Sequence, residues 1–465
     1  MSRLPRSLAP LRHRGFRLLA GGQFASNIGD LFYAVALPWY VLENHRGALL
    51  LGTVLAAYGI PRTVMVAFGG PLSDRFRPWT VMMLCDAVRA VAVAALAIIA
   101  ATHPASSALL VPVAVVLGAA AGAFIPGSFA IVPSLVPDED LQAGNALTFG
   151  GTQLATLIGP AVGGAAVALV GAGAAFGVDA ASFVISAVTL FGVRAAQQAS
   201  ALAGETVSAG TSTGQPKQLI GLEQSVGGEH VVALGTSAAP ETDSRSVFQI
   251  VRSTRVLQVM FIVTIAANLG SGGLSEVALP ALARGPFHAG ASGYGAMLAA
   301  FGGGALIGTV LAGQITRLRR PAVAGSAAFF TEGILMAATP YLGGAIPAAV
   351  ALAIYGGLNG FGNTVVITAF QRWAPAQMMG RLIGVMMFAS VGIFPVSVFF
   401  AGVIVHASGA AVFFPIAGAI LMLAIAAGLT QSSWREWGAV APDSGGKSGS
   451  ATVAQSKSVH DSASH

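Results

Sequence analysis

Long apolar stretches separated by short polar breaks run through most of this chain, and each is long enough to be a helix that crosses a bilayer. About 20 mostly apolar residues cover the roughly 30 Å hydrocarbon core. On that measure the pattern predicts six spans near 17–41, 48–70, 79–101, 108–131, 147–170 and 173–193, and six more near 256–283, 292–314, 321–341, 346–370, 381–405 and 409–430. The longer breaks differ in character. Residues 194–255 are polar and rich in Ser, Gly and Thr, which predicts a flexible linker with a short surface helix near 247–255. The expected organisation is a leading segment 1–16, a bundle over 17–193, the linker 194–255, a second bundle over 256–430 and a disordered tail 431–465.

The two apolar halves echo each other. Val54 to Pro78 recurs without a gap as Met297 to Pro321: Leu55, Ala56, Ala57, Gly59, Gly70, Arg77 and Pro78 return as Leu298, Ala299, Ala300, Gly302, Gly313, Arg320 and Pro321. Val35 to Pro38 returns as Val277 to Pro280, and Gly118, Gly122 and Pro137 as Gly356, Gly360 and Pro375. Spans one, two and four thus each have a counterpart six helices on, the mark of a parallel repeat in a two-bundle transporter.

Composition names the solvent. Of 465 residues 55% are hydrophobic and 9% charged, against about 25% charged in an ordinary soluble domain. Arg75, Arg77, Arg317, Arg319, Arg320, Arg372 and Arg381 lie in the breaks at 71–78, 315–320 and 371–381, whereas only Arg46 and Arg284 lie in the alternate ones. The positive-inside rule therefore places the first set, both termini and the linker in the cytoplasm. The net charge of +6 is spread over many loops, so no nucleic-acid surface is expected. Arg3, Arg6, Arg12, Arg14 and Arg17 lead straight into the first span, so no cleavable leader is expected. Lone Cys85 excludes a disulfide framework, the histidines show no metal spacing, and no nucleophile, base and orienting acid can be assembled. Neither an enzyme, a cofactor nor a metal is expected. Gly445 to Ser448 resembles the end of a phosphate-binding loop, but Ala441 stands where the leading Gly belongs.

Charges inside the spans are few. One at the middle of a bilayer helix costs roughly 2.5 to 3.5 kcal/mol on insertion scales and seeks a partner or a wet cavity. Asp30, Arg62, Asp86, Arg89, Asp179, Glu276 and Glu332 are the set. Counting at 1.5 Å per residue from the basic ends, Asp30 lies about 20 Å deep, Arg89 about 15 Å, and Arg62 and Asp86 about 12 and 10 Å. All four can share one network. Asp86 and Arg89, three apart, can pair on one face, with Arg62 beside them. Asp30 is either a proton carrier or a fixed partner of Arg89 or Arg62. Glu276, one turn before Pro280, is the acid for binding or proton exchange in the second half unless it is simply solvated, and Asp179 reads as a cap or pairing residue near the outer end of span six. Gln23, Asn27 and Asp30 share a face of span one, and Asn359 and Asn363 share one of span ten. With Tyr33 nearby, these amides suit a bulky amphipathic cargo.

Gly70-Pro71-Leu72-Ser73-Asp74-Arg75 resembles the loop signature of the major facilitator superfamily, in which Gly70, Asp74 and Arg75 would form the conformational-switch loop. The sequence departs from that signature at Arg77, Pro78 and Trp79, where a Gly and two basic residues are usual. Phe16 to Leu19, Gln23 to Asp30, Val136 to Leu141 and Gly144 to Leu147 are similar to bacterial macrolide-efflux and enterobactin exporters. Gly159, Pro160, Gly163 and Gly164 resemble the helix-bending motif of antiporters, with Ala155 in place of its first Gly. The resemblance implies an all-α membrane protein of twelve transmembrane helices in two pseudo-symmetric six-helix bundles. It implies a monomeric exporter of a hydrophobic or amphipathic small molecule in a bacterial cytoplasmic membrane, exchanging cargo for protons. An importer or facilitator, or a non-transporting sensor, remains open on the same scaffold. Val111 to Phe124 lacks the basic residue that many proton-coupled members carry there, so coupling falls to Asp30, Glu276 or Glu332. Span one would face the central cavity, and span nine would pack outside it, leaving Glu332 a helix-to-helix hydrogen bond.

Overall fold

The apolar stretches are helices in the computed structural model, which describes residues 6–43, 47–210, 254–315, 318–373 and 376–437. After a 3-10 turn at Arg6–Arg12 come α1 (Arg14–Glu43), α2 (Gly47–Phe76), α3 (Pro78–Thr102) and α4 (Ser107–Ile131). Helix then runs over Asp138–Gly210 with a single break at Gly171, whose φ of 82° and ψ of 167° suit a residue with no Cβ. It divides the stretch into α5 (138–170) and α6 (172–210). The second half holds α7 (Arg255–Arg284), α8 (Gly290–Gln314), α9 (Pro321–Ala338), α10 (Ala345–Trp373), α11 (Ala376–Ser408) and α12 (Ala410–Thr430). Among the described residues there is no strand.

Ten stretches are long and apolar enough to cross a membrane. One of them, Ile158–Ala195, contains the reversal at Gly171, and α1 is diluted by Gln23, Asn27 and Asp30 in its middle, so twelve crossings result. The expected all-α, twelve-helix membrane architecture is what the chain adopts.

Two boundaries move. Helix α6 continues to Gly210, past the expected start of the linker at 194, and 211–253 lie outside the described residues. The tail does not begin at 431: Ser432–Arg435 is a helical turn, and Trp434 and Trp437 are buried and stacked with ring centroids 5.2 Å apart. Large apolar rings with somewhere to pack override the polar composition around them. Residues 438–465, with the phosphate-loop-like segment, lie outside the described residues.

The repeat is visible in the packing. A Cβ on Gly118 or Gly122 of α4 would collide with the carbonyl oxygens of Tyr58 and Arg62 on α2; on Gly356 or Gly360 of α10 it would collide with those of Phe301 and Ala305 on α8. Tyr58 and Arg62 occupy the repeat positions of Phe301 and Ala305. Both crossings therefore use the same residues of the repeat, where small side chains let backbones touch, the main source of helix adhesion in lipid.

The faces of the molecule differ. Arg14, Arg17, Arg75, Arg77, Arg319, Arg320 and Arg372 mark one, called here the basic face. Toward the opposite face a single apolar core joins both bundles, with Val35, Leu37 and Val54 packed in one cluster with Val277, Leu279 and Tyr294. Toward the basic face the cores separate: Phe16, Leu19, Met82 and Leu190 in the first bundle, and Val256, Met260, Phe370 and Trp434 in the second. The bundles are joined at one end and part at the other.

Candidate functional site

Each bundle holds a cavity. In the first, about 340 Å³ is lined by Gln23, Asn27, Asp30 and Tyr33 of α1 and, across from them, by Tyr58 and Arg62 of α2, Arg89 of α3 and Asp179 of α6. The α1 residues line it together because their spacing stacks them on one helix face.

Arg89 organises the charges. Buried between the rings of Phe124 and Phe183, 4.4 and 4.3 Å from their centroids, it pairs with Asp86 one turn earlier. Asp86 is fully buried and also accepts a 2.6 Å hydrogen bond from Ser186 of α6. Asp30 approaches the same guanidinium only to 4.0 Å, and its side chain is 49% exposed to the cavity. Two acids that look alike in sequence thus have different stations: Asp86 is fixed, and Asp30 fronts open space with a loose hold on Arg89. Arg62 stands apart from the pair. Its buried Nε makes no hydrogen bond among the described residues, its guanidinium lies 5.9 Å from the Tyr58 ring, and its charge acts on both Asp30 and Glu276.

Asp179 corrects the sequence reading. It lies eight residues beyond Gly171, roughly 12 Å into α6, buried in the cavity wall against Gly29 of α1. Ser182 donates to its backbone carbonyl at 2.7 Å and to its Oδ1 at 3.5 Å, while its buried Oδ2 makes no hydrogen bond among the described residues. It is neither a cap nor an outer residue. The expected spans end at 170 and resume at 173, on either side of the turn; what they do not show is that eight residues of helix carry Asp179 well past the outer end.

The second cavity, about 740 Å³, lies wholly within the other bundle. Its wall runs from Met260, Gln371 and Trp434 at the basic end to Leu279 and Leu298 deeper in, and holds Phe301, Phe329, Tyr355 and Phe394. Glu332 of α9 lines it, contrary to the expectation that span nine packs outside, because α9 contributes Phe329 and Glu332 to the wall from one turn. Asn359 donates to both Glu332 oxygens, at 3.2 and 3.3 Å, and Asn363 donates to Asn359 Oδ1 at 3.0 Å. The expected helix-to-helix hydrogen bond is there, and so is the cavity.

Glu276 lines neither cavity. Pro280 offers no N–H to the Glu276 carbonyl four residues back, and α7 widens into a π-turn over Leu274–Ala278. Tyr294 donates to the Ser275 carbonyl inside that turn at 2.9 Å. Glu276 is neither wholly buried nor fully solvated, and Arg62 of the other bundle is the opposite charge that acts on it. Phe32 is in the shared core and Trp39 packs against it, so neither faces a cavity.

Glycines join the bundles. A Cβ on Gly52 of α2 would meet the Val398 carbonyl of α11 at 2.6 Å, and one on Gly402 would meet the Ala48 carbonyl at 2.8 Å. Symmetrically, Gly164 of α5 would meet the Ala291 carbonyl of α8 at 2.7 Å and Gly295 would meet Gly164 Cα at 3.0 Å. Gly52 and Gly295 are repeat partners at the spacing of Val54 and Met297, and Gly164 and Gly402 at that of Gly118 and Gly356. Gly159 and Gly163 of the same motif lie against Leu31 of α1. Backbone angles stay helical through Pro160 and leave the helix at Gly171, so the motif acts here as a packing seam.

The expected switch loop is largely helix, since α2 runs to Phe76. Arg75 is exposed beside the Phe76 ring at 5.5 Å; the surroundings of Gly70 and of the Asp74 side chain lie outside what is described. Arg77, which stands where the signature has Gly, carries φ 67° and ψ 135°, a conformation glycine tolerates and other residues resist. Arg77→Gly should therefore raise stability by about 1 kcal/mol, seen as a higher melting temperature in detergent; an unchanged or lower one would show that the strain is relieved in solution. Among the described residues no group of three or more His, Cys, Asp or Glu could hold a metal ion.

The family model for the Major Facilitator Superfamily matches residues 19–395. The multidrug efflux pump Tap of Mycobacterium tuberculosis (strain ATCC 25618 / H37Rv) is 31% identical over 168 residues, 35% of this chain and 40% of that pump. The MFS-type transporter YfiS of Bacillus subtilis (strain 168) is 25% identical over 179 residues, 38% of this chain and 42% of that one. The chain therefore spans less than half the length of these relatives. Among solved structures, a bacterial homologue of the iron transporter ferroportin in an inward-facing state superposes with a TM-score of 0.64 at 15% identity, covering 92% of this chain and 99% of that one. A POT family transporter in complex with a thioalcohol-conjugated peptide superposes with a TM-score of 0.65 at 12% identity over 90% and 96%. At such identities the likeness is one of fold.

Proposed function

We propose that this chain, which belongs to the major facilitator superfamily, is a proton-coupled exporter that expels a hydrophobic or amphipathic small molecule from a bacterium by alternating access. One observation carries the coupling: Asp30 fronts the first cavity and shares Arg89 with a second, fully buried carboxylate. A half-exposed acid held loosely by an arginine that already has a partner can take up or release a proton without leaving that arginine unpaired. Releasing Asp30 from Arg89 on protonation, and restoring the contact on deprotonation, gives the two bundles two electrostatic states. The likeness to a multidrug efflux pump supports the outward direction. The arginine-rich face and the positive-inside rule support a cytoplasmic location for that face and for both termini, in the inner membrane.

Transport into everted vesicles decides the reading. An exporter loads cargo into everted vesicles when a proton gradient is imposed and loses it when a protonophore collapses that gradient. Uptake confined to right-side-out vesicles would make the chain an importer, and efflux indifferent to the protonophore would remove proton exchange from the mechanism.

A further inference from the structure

We propose that Glu332 anchors a site for lipophilic monocations inside the second bundle, an assignment that rests on the exporter reading above. The evidence is a mismatch of charge. Asp86 pairs with Arg89, Asp30 approaches the same arginine, Asp179 feels its charge, and Glu276 feels that of Arg62. Among the described residues Glu332 has none of this. It is 2% exposed, and its neighbours are the neutral donors Asn359 and Tyr355. Carboxylates taken out of water are held by a countercharge or a proton, and among the described residues the wall of this cavity contributes no Lys, Arg or His.

The space beside Glu332 fits the missing partner. A volume of about 740 Å³ falls in the range that encloses drug-sized molecules. Phe301 and Tyr355 lie with ring centroids 5.1 Å apart, and Phe329 and Phe394 add further aromatic surface. Aromatic rings attract a cation that has shed water and bury its apolar body at the same time. A neutral ligand of the same shape would gain the second contribution alone. The first cavity contrasts with this one, since Arg62 and Arg89 line it together with its acids. The two bundles thereby divide the work: compensated charges in the first, an uncompensated acid in an aromatic chamber in the second.

Equilibrium dialysis of the full chain in detergent against tetraphenylphosphonium, with neutral triphenylphosphine oxide as comparison, tests the site. The wild-type chain should bind the cation about tenfold or more tightly than the neutral compound, the scale of one favourable charge contact. Glu332→Gln should lose that preference and keep the neutral affinity, while Glu332→Asp should keep the preference. Equal binding of both compounds by the wild-type chain, or a Glu332→Gln chain with undiminished preference, would overturn the assignment. If Glu332→Gln does not fold, the wild-type comparison and the Asp variant still decide. A chain that binds the cation selectively but moves nothing in vesicles refutes the exporter reading and leaves the site; efflux with no preference for charge refutes the site alone.

Discussion

Asp30→Asn should abolish uphill efflux while leaving the protein folded. The substitution keeps size and hydrogen-bonding ability but removes the half-exposed carboxylate that approaches Arg89 beside Asp86. Arg89 retains its Asp86 partner, so no buried charge is orphaned and the fold has no reason to fail. Proton-driven accumulation in proteoliposomes should fall by roughly a hundredfold or more, the lower end of what losing a positioned proton-transfer group costs, while downhill exchange of cargo across the same membrane persists. Asp86→Asn makes the informative contrast. That position is fully buried and bonded to Arg89 and Ser186, so its loss should lower the melting temperature before it alters coupling. Undiminished accumulation by Asp30→Asn would exclude Asp30 from the mechanism.

The second large effect belongs to the glycine crossings. Valine at Gly402 or at Gly164 places a branched side chain against the backbone of a helix in the other bundle, at Ala48 and Gly52 or at Ala291 and Gly295. Overpacking costs about 1–3 kcal/mol, and levied on only one of two alternating states it shifts their populations by roughly 5- to 150-fold. Both variants should open the face away from the arginines, because both crossings lie on that side. Spin labels at Thr102 and Ile346, exposed near that face in opposite bundles, report the separation; Cys85 is the lone cysteine, so Cys85→Ala gives the labelling background. The repeat makes a stricter demand: the two substitutions occupy equivalent positions and should shift the distance alike. A response from one and not from the other would mean that the crossings are not a matched pair.

Much of this was legible in order of residues. The spans, the two halves and the short list of buried charges follow from hydropathy and repetition, because a charge in lipid is too costly to be incidental. The amides of α1 and α10 also pointed into cavities, since a polar stripe on an apolar helix has few places to go. Other features were hidden. Asp179 was misplaced not through the turn, which the spans put at 171–172, but because only the packing of α6 against α1 shows that it is buried in the cavity wall. The pairing of Asp86 with Arg89 followed from their spacing, but whether Asp30 is a second fixed partner or fronts open space did not, because only side-chain direction separates the two. Glu332 lacked a signal as well: absence of a countercharge is a property of neighbours on four other helices, not of α9.

Sequence alone determined that the chain is a membrane-spanning, two-fold repeated helical bundle, for bilayer thickness and the cost of unpaired polar groups leave no other solution. Tertiary structure decided which face of each helix turns inward. In water a buried face is apolar and the other polar, so periodicity reveals the core; in lipid both are apolar, and that contrast disappears. Only the packed bundles show that Asp30 faces open space, that Glu332 has neutral donors and no basic side chain beside it among the described residues, and that four distant glycines bring the halves into contact.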